Sequence, residues 1–226
     1  MGFIDVNGCA LLPSADGGGT SVIYAIDLPE HPFDIASAAE GVRTAVVRVP
    51  VRDWNDSLTP WPAAGVRPGA ADFGGKAAET LAELTGAVIP AVEAAHGFSP
   101  AHRAICGYSL GGLFALYAFV SEASTFSACA CLSGSVWYEG WVEYLRRHCP
   151  DGAKRYAYLS IGRKERRAGP PIMRSVQDDL EACADILRGS GCAVDLVVGP
   201  GNHMQHHTER LAAGLKALDA WFGAVG

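Results

Sequence analysis

The stretch Arg103-Ala104-Ile105-Cys106-Gly107-Tyr108-Ser109-Leu110-Gly111-Gly112-Leu113-Phe114-Ala115-Leu116-Tyr117-Ala118-Phe119-Val120 contains, in order, a short apolar run, a glycine-rich turn and a second apolar run of helix length. Residues 103–106 predict a very short strand, 107–112 a tight turn, and 113–120 a helix apolar on nearly all sides and therefore buried. A strand leading through a tight turn into a buried helix is the building unit of a parallel sheet, because a parallel neighbour is reached only by a crossover.

The same alternation extends in both directions. Upstream, Ser21–Asp27 and residues 44–51 read as buried, β-branched strands. Downstream, strands are expected at Ala128–Leu132, 156–161 and 194–198. Helices are expected over 77–96, where Leu81, Leu84, Val88 and Val92 recur at helical spacing with Pro90 as a kink and Gly97 as a stop, and over 174–188. A last helix carries Leu211, Leu215, Leu218, Trp221 and Phe222 on one side. Turn chemistry marks 13–19, and the Pro/Trp/Asp-rich stretch 52–68 reads as a long surface loop of the kind that carries function. The expected fold class is α/β, a mostly parallel sheet with helices on both faces, as one domain over 1–226 without a large cap domain or internal repeat.

Composition agrees with a single core: 226 residues with 49% hydrophobic and 19% charged side chains suit one sizeable domain. The net charge of -6 disfavours a nucleic-acid partner. No apolar run approaches the roughly 20 residues of a membrane span, and the start lacks the positive charge of a signal peptide, so a soluble chain is expected. Seven cysteines, an odd number without a Cys-x-x-Cys pair, indicate neither a disulfide framework nor a zinc site and suit a reducing cytoplasm.

Gly107-Tyr108-Ser109-Leu110-Gly111 matches the G-x-S-x-G elbow, in which a serine sits on a strained strand-to-helix turn. Its bland alternative is a glycine-rich turn with an ordinary serine; the flanking strand and helix favour a nucleophile. A serine hydroxyl then needs a general base and an acid that orients it, expected in the chain order Ser, Asp or Glu, His. Glu165, just past the strand 156–161, is the candidate acid, with Asp151, Asp178 and Asp195 as rivals and a solvated charge run as the bland reading. His203, after the strand 194–198, is the candidate base, ahead of His206 and His207, which are expected to begin the last helix. A metal site formed by these three histidines lacks an acidic partner, and none is expected.

Residues 104–115 together with Leu132-Ser133-Gly134-Ser135-Val136-Trp137-Tyr138 resemble the putative-esterase branch of the α/β-hydrolases, which includes enterochelin (siderophore) esterases. Tyr24-Ala25-Ile26-Asp27, Arg52-Asp53 with Thr59-Pro60, and Gly201-Asn202-His203 with Arg210-Leu211 and Gly214-Leu215 extend the likeness from Ser21 onward. The resemblance implies a serine esterase without metal or organic cofactor, with Ser109, Glu165 and His203 as nucleophile, acid and base. The oxyanion is expected at the backbone N–H of Leu110 and a second donor near Leu28. The chain departs from the family here, because Asp27-Leu28-Pro29 replaces Asp-Gly and proline has no N–H to give.

The expected partner is a small-molecule ester, in an open site where Arg52, Trp137 and Tyr138, with Trp54 and Trp61, meet a siderophore, aryl or short-chain acyl group; the bland reading is that the tryptophans pack beneath the loop. A non-catalytic binding protein and an acyltransferase on the same scaffold stay open as alternatives.

Overall fold

The computed structural model describes residues 2, 4–12, 20–97, 99–167 and 169–225; the turn expected at 13–19 lies outside them. Its strands are β1 (Ala10–Leu12), β2 (Ser21–Asp27), β3 (Ala45–Pro50), β4 (Pro62–Ala63), β5 (Phe73–Gly74), β6 (His102–Tyr108), β7 (Ala128–Leu132), β8 (Tyr156–Gly162) and β9 (Ala193–Gly199). Its helices are α1 (Ile35–Ala38), α2 (Trp54–Ser57), α3 (Ala77–Glu83), α4 (Ile89–His96), α5 (Leu110–Ser121), α6 (Trp141–His148), α7 (Val176–Gly189) and α8 (His207–Val225).

Seven strands form one sheet in the order β1-β3-β2-β6-β7-β8-β9. Only β1 runs antiparallel to its neighbour. This is an α/β-hydrolase-type open sheet, with the carboxyl ends of β6, β8 and β9 on the same edge. One face carries α3 to α7 over a core that includes Val47, Phe114, Phe119 and Leu159. The other face carries α1 and α8 over Ile23, Val46, Leu215 and Leu218. Helix α5 is buried on nearly every side, as its unbroken apolar run requires.

Four local departures from the expected elements have physical causes. The turn expected over 107–112 shrinks to Ser109 alone, since β6 runs to Tyr108 and α5 starts at Leu110. Its glycines serve close packing instead. The helix expected over 77–96 is divided by a π-helical turn, Leu84–Val88, before Pro90 in the first turn of α4; the widened turn absorbs the ring and the missing N–H without a break. The loop over 52–68 is tied down, with α2 inside it and β4 paired antiparallel to β5. Lys76 Nζ donates to Asp56 Oδ2 at 2.9 Å, and Gly75 N to Thr59 Oγ1 at 3.0 Å, tying the loop to the segment that leads into α3. Strand β9, read from its apolar residues as buried, is the sheet edge and leaves Val197 41% and Val198 37% exposed. Among the described residues no helix is long and apolar enough to cross a membrane.

Helix α4 is fixed to the sheet by a buried carboxylate. Glu93 accepts from Tyr24 Oη at 2.8 Å and from Arg103 Nε and Nη2 at 2.7 and 2.8 Å. Burial alone would raise the Glu93 carboxyl, but the Arg103 and Tyr24 hydrogen bonds and the Arg103 charge hold it below its ordinary value. A depressed carboxylate stabilises the fold fully above its unfolded value and loses that contribution as pH falls through the folded one. Glu93→Gln is therefore expected to lower stability by about 1–3 kcal/mol at neutral pH. In urea titrations the difference from wild type should shrink below about pH 4. A difference that stays constant down to acid would contradict this.

A methyl group on Gly112 would come within 2.9 Å of the Gly134 backbone, whereas one on Gly86 would meet nothing within 4 Å. Gly112→Ala is expected to cost about 1–3 kcal/mol. Gly86→Ala should be neutral or stabilising by up to about 1 kcal/mol, both read as shifts of the thermal midpoint.

Candidate active site

Tyr108 ends β6 and Leu110 begins α5, so the chain reverses at a single residue. Ser109 has φ 57 and ψ -123, a conformation that L-residues rarely adopt and that costs of order 1–3 kcal/mol. Neighbours hold it there. Ser109 N donates to Leu132 O at 3.0 Å, and Ser109 O accepts from the N–H groups of Gly112, Leu113 and Ser135 at 3.0, 3.1 and 3.0 Å. A side chain on Gly107 would run into the Gly111 backbone, and one on Gly111 would press on the Trp54 ring and Ile26. The small residues around the serine are thus a packing requirement, and the turn presents its hydroxyl at the sheet rim.

Two neighbouring strand ends supply the partners. Glu165 lies in a short 3-10 turn after β8, where its side chain is 3% exposed. His203 lies in the loop between β9 and α8 with a side chain 35% exposed. His203 Nδ1 is 3.0 Å from Glu165 Oε2, and His203 Nε2 is 3.1 Å from Ser109 Oγ. An ionised carboxylate only accepts, so Nδ1 carries the proton and Nε2 is left to accept from the serine. The other carboxylate oxygen, Oε1, accepts from Gly162 N at 2.7 Å and Ser133 Oγ at 2.8 Å. Burial pushes the Glu165 carboxyl up, and the hydrogen bonds from His203, Gly162 and Ser133 with the His203 charge outweigh it, leaving the group below its ordinary value. The group is therefore ionised at neutral pH.

The rival groups stand elsewhere. Asp195 accepts from Tyr156 Oη at 2.7 Å, Asp151 accepts from Ala153 N at 3.0 Å, and Asp178 lies on α7. His206 faces Glu209, and His207 Nε2 donates to the carbonyl of His203 at 2.9 Å.

A cavity of about 460 Å³ opens over Ser109 and His203. Trp54, Phe73, Trp137, Met173 and Val176 give it apolar walls, and Leu110 also lines it. Arg52, Tyr138 and Leu28 do not line it. Arg52 pairs with Asp5 at 3.4 Å. Tyr138 is 2% exposed and donates to Trp61 O at 2.6 Å, so its ring supports the wall from behind. Trp61 donates to Glu139 O at 3.0 Å and packs on Tyr138 and Tyr144. Leu28 follows β2, and its carbonyl accepts from His31 N at 3.2 Å in a local turn. At the cavity, the position next to the elbow is taken by Trp54, which follows Asp53 in the left-handed region at φ 50.

Arg210 carries a part that charge spacing could not reveal. It is 7% exposed, and its Nη1 donates to Tyr108 Oη, Asn202 O and Gln205 O at 2.8, 3.2 and 2.9 Å, while Nη2 reaches Pro200 O at 2.8 Å. Tyr108 Oη in turn donates to His203 O at 2.7 Å. One guanidinium from α8 therefore fixes the loop that carries the imidazole, and it stands 3.7 Å from Glu165 Oε1. Ser133 is similarly hidden in sequence, where it reads as one of two serines in a small-residue turn. Its φ of 44 aims the hydroxyl at the carboxylate.

The chain is similar to several known proteins. The uncharacterized protein YbbA of Bacillus subtilis (strain 168) is 28% identical over 225 residues, covering 93% of this chain and 88% of that protein. The siderophore hydrolase EstA from Aspergillus nidulans superposes with a TM-score of 0.71 at 23% identity, covering 91% of this chain and 84% of EstA. An IroE-like serine hydrolase from Shewanella oneidensis gives a TM-score of 0.74 at 17% identity, with 94% and 75% covered. The family profile described as "Putative esterase" matches residues 10–180. With that match over most of its length and an α/β-hydrolase sheet beneath the site, the chain belongs to the putative esterase family.

Proposed function

We propose that this protein is a serine esterase that cleaves small carboxylic esters through an acyl-enzyme on Ser109, without metal or organic cofactor. The observation that carries the reading is the relay Glu165 Oε2 to His203 Nδ1 at 3.0 Å and His203 Nε2 to Ser109 Oγ at 3.1 Å, at the floor of a cavity. His203 takes the Ser109 proton as the oxygen attacks the ester carbonyl, and Glu165 stabilises the imidazolium. The N–H of Leu110, in the first turn of α5 and without an intrahelical acceptor, holds the oxyanion. Leu28 is given no part, because it stands outside the cavity wall. His203 then returns its proton to the leaving oxygen, and water repeats the sequence on the acyl-enzyme.

The apolar cavity suits an aryl or aliphatic acyl group, and the likeness to EstA supports a siderophore ester within that class. A non-catalytic binding role gains nothing from a buried, ionised Glu165 held on an imidazole.

Toward p-nitrophenyl butyrate, Ser109→Ala is expected to lower kcat by about a thousandfold or more, and Glu165→Gln by at least about tenfold. A Ser109→Ala variant that keeps its rate would overturn the reading. Arg210→Lys keeps the charge but loses the fork that grips the His203 loop. It is expected to lower kcat more than it raises KM, and an unaltered kcat would show that the loop holds its place without the guanidinium.

A further inference from the structure

Besides His203, Ser135 is the one side chain among the described residues in polar contact with the Ser109 hydroxyl, and no step above uses it. Its Oγ lies 3.5 Å from Ser109 Oγ. The residue is 3% exposed, it lines the cavity, and its N–H is anchored on Ser109 O at 3.0 Å. The anchor is fixed by packing: Gly134 lies against Gly112 so closely that a methyl on Gly112 would sit 2.9 Å from its Cα. Among the described residues Ser109 Oγ is the one partner of the Ser135 hydroxyl, and 3.5 Å is looser than a formed O–H···O bond. The Ser109 proton is directed at His203 Nε2, so in this contact Ser135 is the donor.

Topology decides what the donor faces. In the sheet order β2-β6-β7-β8-β9, Ser135 follows β7 while the elbow follows β6. Ser135 therefore lies on the same side of the elbow as Glu165 and His203, after β8 and β9, and away from the chain leaving β2. The leaving oxygen must sit on that side, because it takes its proton from His203 Nε2.

We infer that Ser135 is a further catalytic residue of the proposed esterase, whose hydroxyl donates a hydrogen bond to the ester's leaving oxygen as its bond to the acyl carbon breaks. The electron pair of that bond goes to the leaving oxygen, and the proton comes from His203, which took it from Ser109. Ser135 keeps its own proton and stabilises the negative charge before the transfer is complete. This rests on Ser109 being the nucleophile. Its help is greatest for alkyl esters, whose leaving alkoxides are basic, and small for aryl esters, whose phenolates leave readily without it.

The test compares p-nitrophenyl butyrate with ethyl butyrate, two esters of one acyl group, on wild type, Ser135→Ala and Ser109→Ala. Because kcat/KM reports acylation, Ser135→Ala is expected to lower it for the ethyl ester by about tenfold or more and for the p-nitrophenyl ester by less than about threefold. The ratio of the two rates is independent of how much of the variant is folded. Equal losses on both esters, or no loss on either, would overturn the inference while leaving the esterase reading intact. A Ser109→Ala variant that retains the wild-type rates would overturn both.

Discussion

The conformation of Ser109 is the constraint from which the rest of the site follows. One residue must reverse the chain between β6 and α5 at φ 57, and nothing in a serine favours that state. It persists because Gly107 packs on Gly111, Gly112 packs on Gly134, and the Ser109 carbonyl is gripped by three N–H groups. The same contacts draw Ser135 to the nucleophile and Trp54 to the elbow. Backbone packing in the core is thereby converted into the position of a hydroxyl at the surface.

The second dependency is electrostatic. Glu165 is buried and ionised, which is costly for an isolated carboxylate. Gly162, Ser133 and His203 supply its hydrogen bonds, and the Arg210 guanidinium stands 3.7 Å away. Arg210 spends its own donors on the carbonyls of the His203 loop, so the acid and the base are held by one connected set of buried polar groups. Such a set is stable only when every member is satisfied, which makes it stiff.

Much of this was legible in the sequence because it is written locally. The strand-turn-helix around Ser109, the carboxylate just past β8 and the histidine just past β9 each follow from a short apolar run and the residue that ends it. What stayed hidden depends on residues far apart in the chain. Arg210 enters the sequence reading only as part of the resemblance, without a role, and only the docking of α8 under the β9 loop turns it inward. Arg52 and Tyr138 were expected at the substrate because of their chemistry. The fold instead sends Arg52 to Asp5 and buries Tyr138 beneath Trp61, leaving Trp54 and Trp137 at the cavity. The expected loop over 52–68 hid its order because short pairs such as β4 and β5 carry too few residues for a period to emerge.

The central claim is that Ser109, and no other serine, is activated by His203. Intact mass and peptide mapping after treatment with a fluorophosphonate test it most directly. A single adduct is expected on the peptide containing Ser109, with labelling slowed strongly in His203→Ala. An adduct on a different residue, or wild-type protein that stays unlabelled, would contradict it.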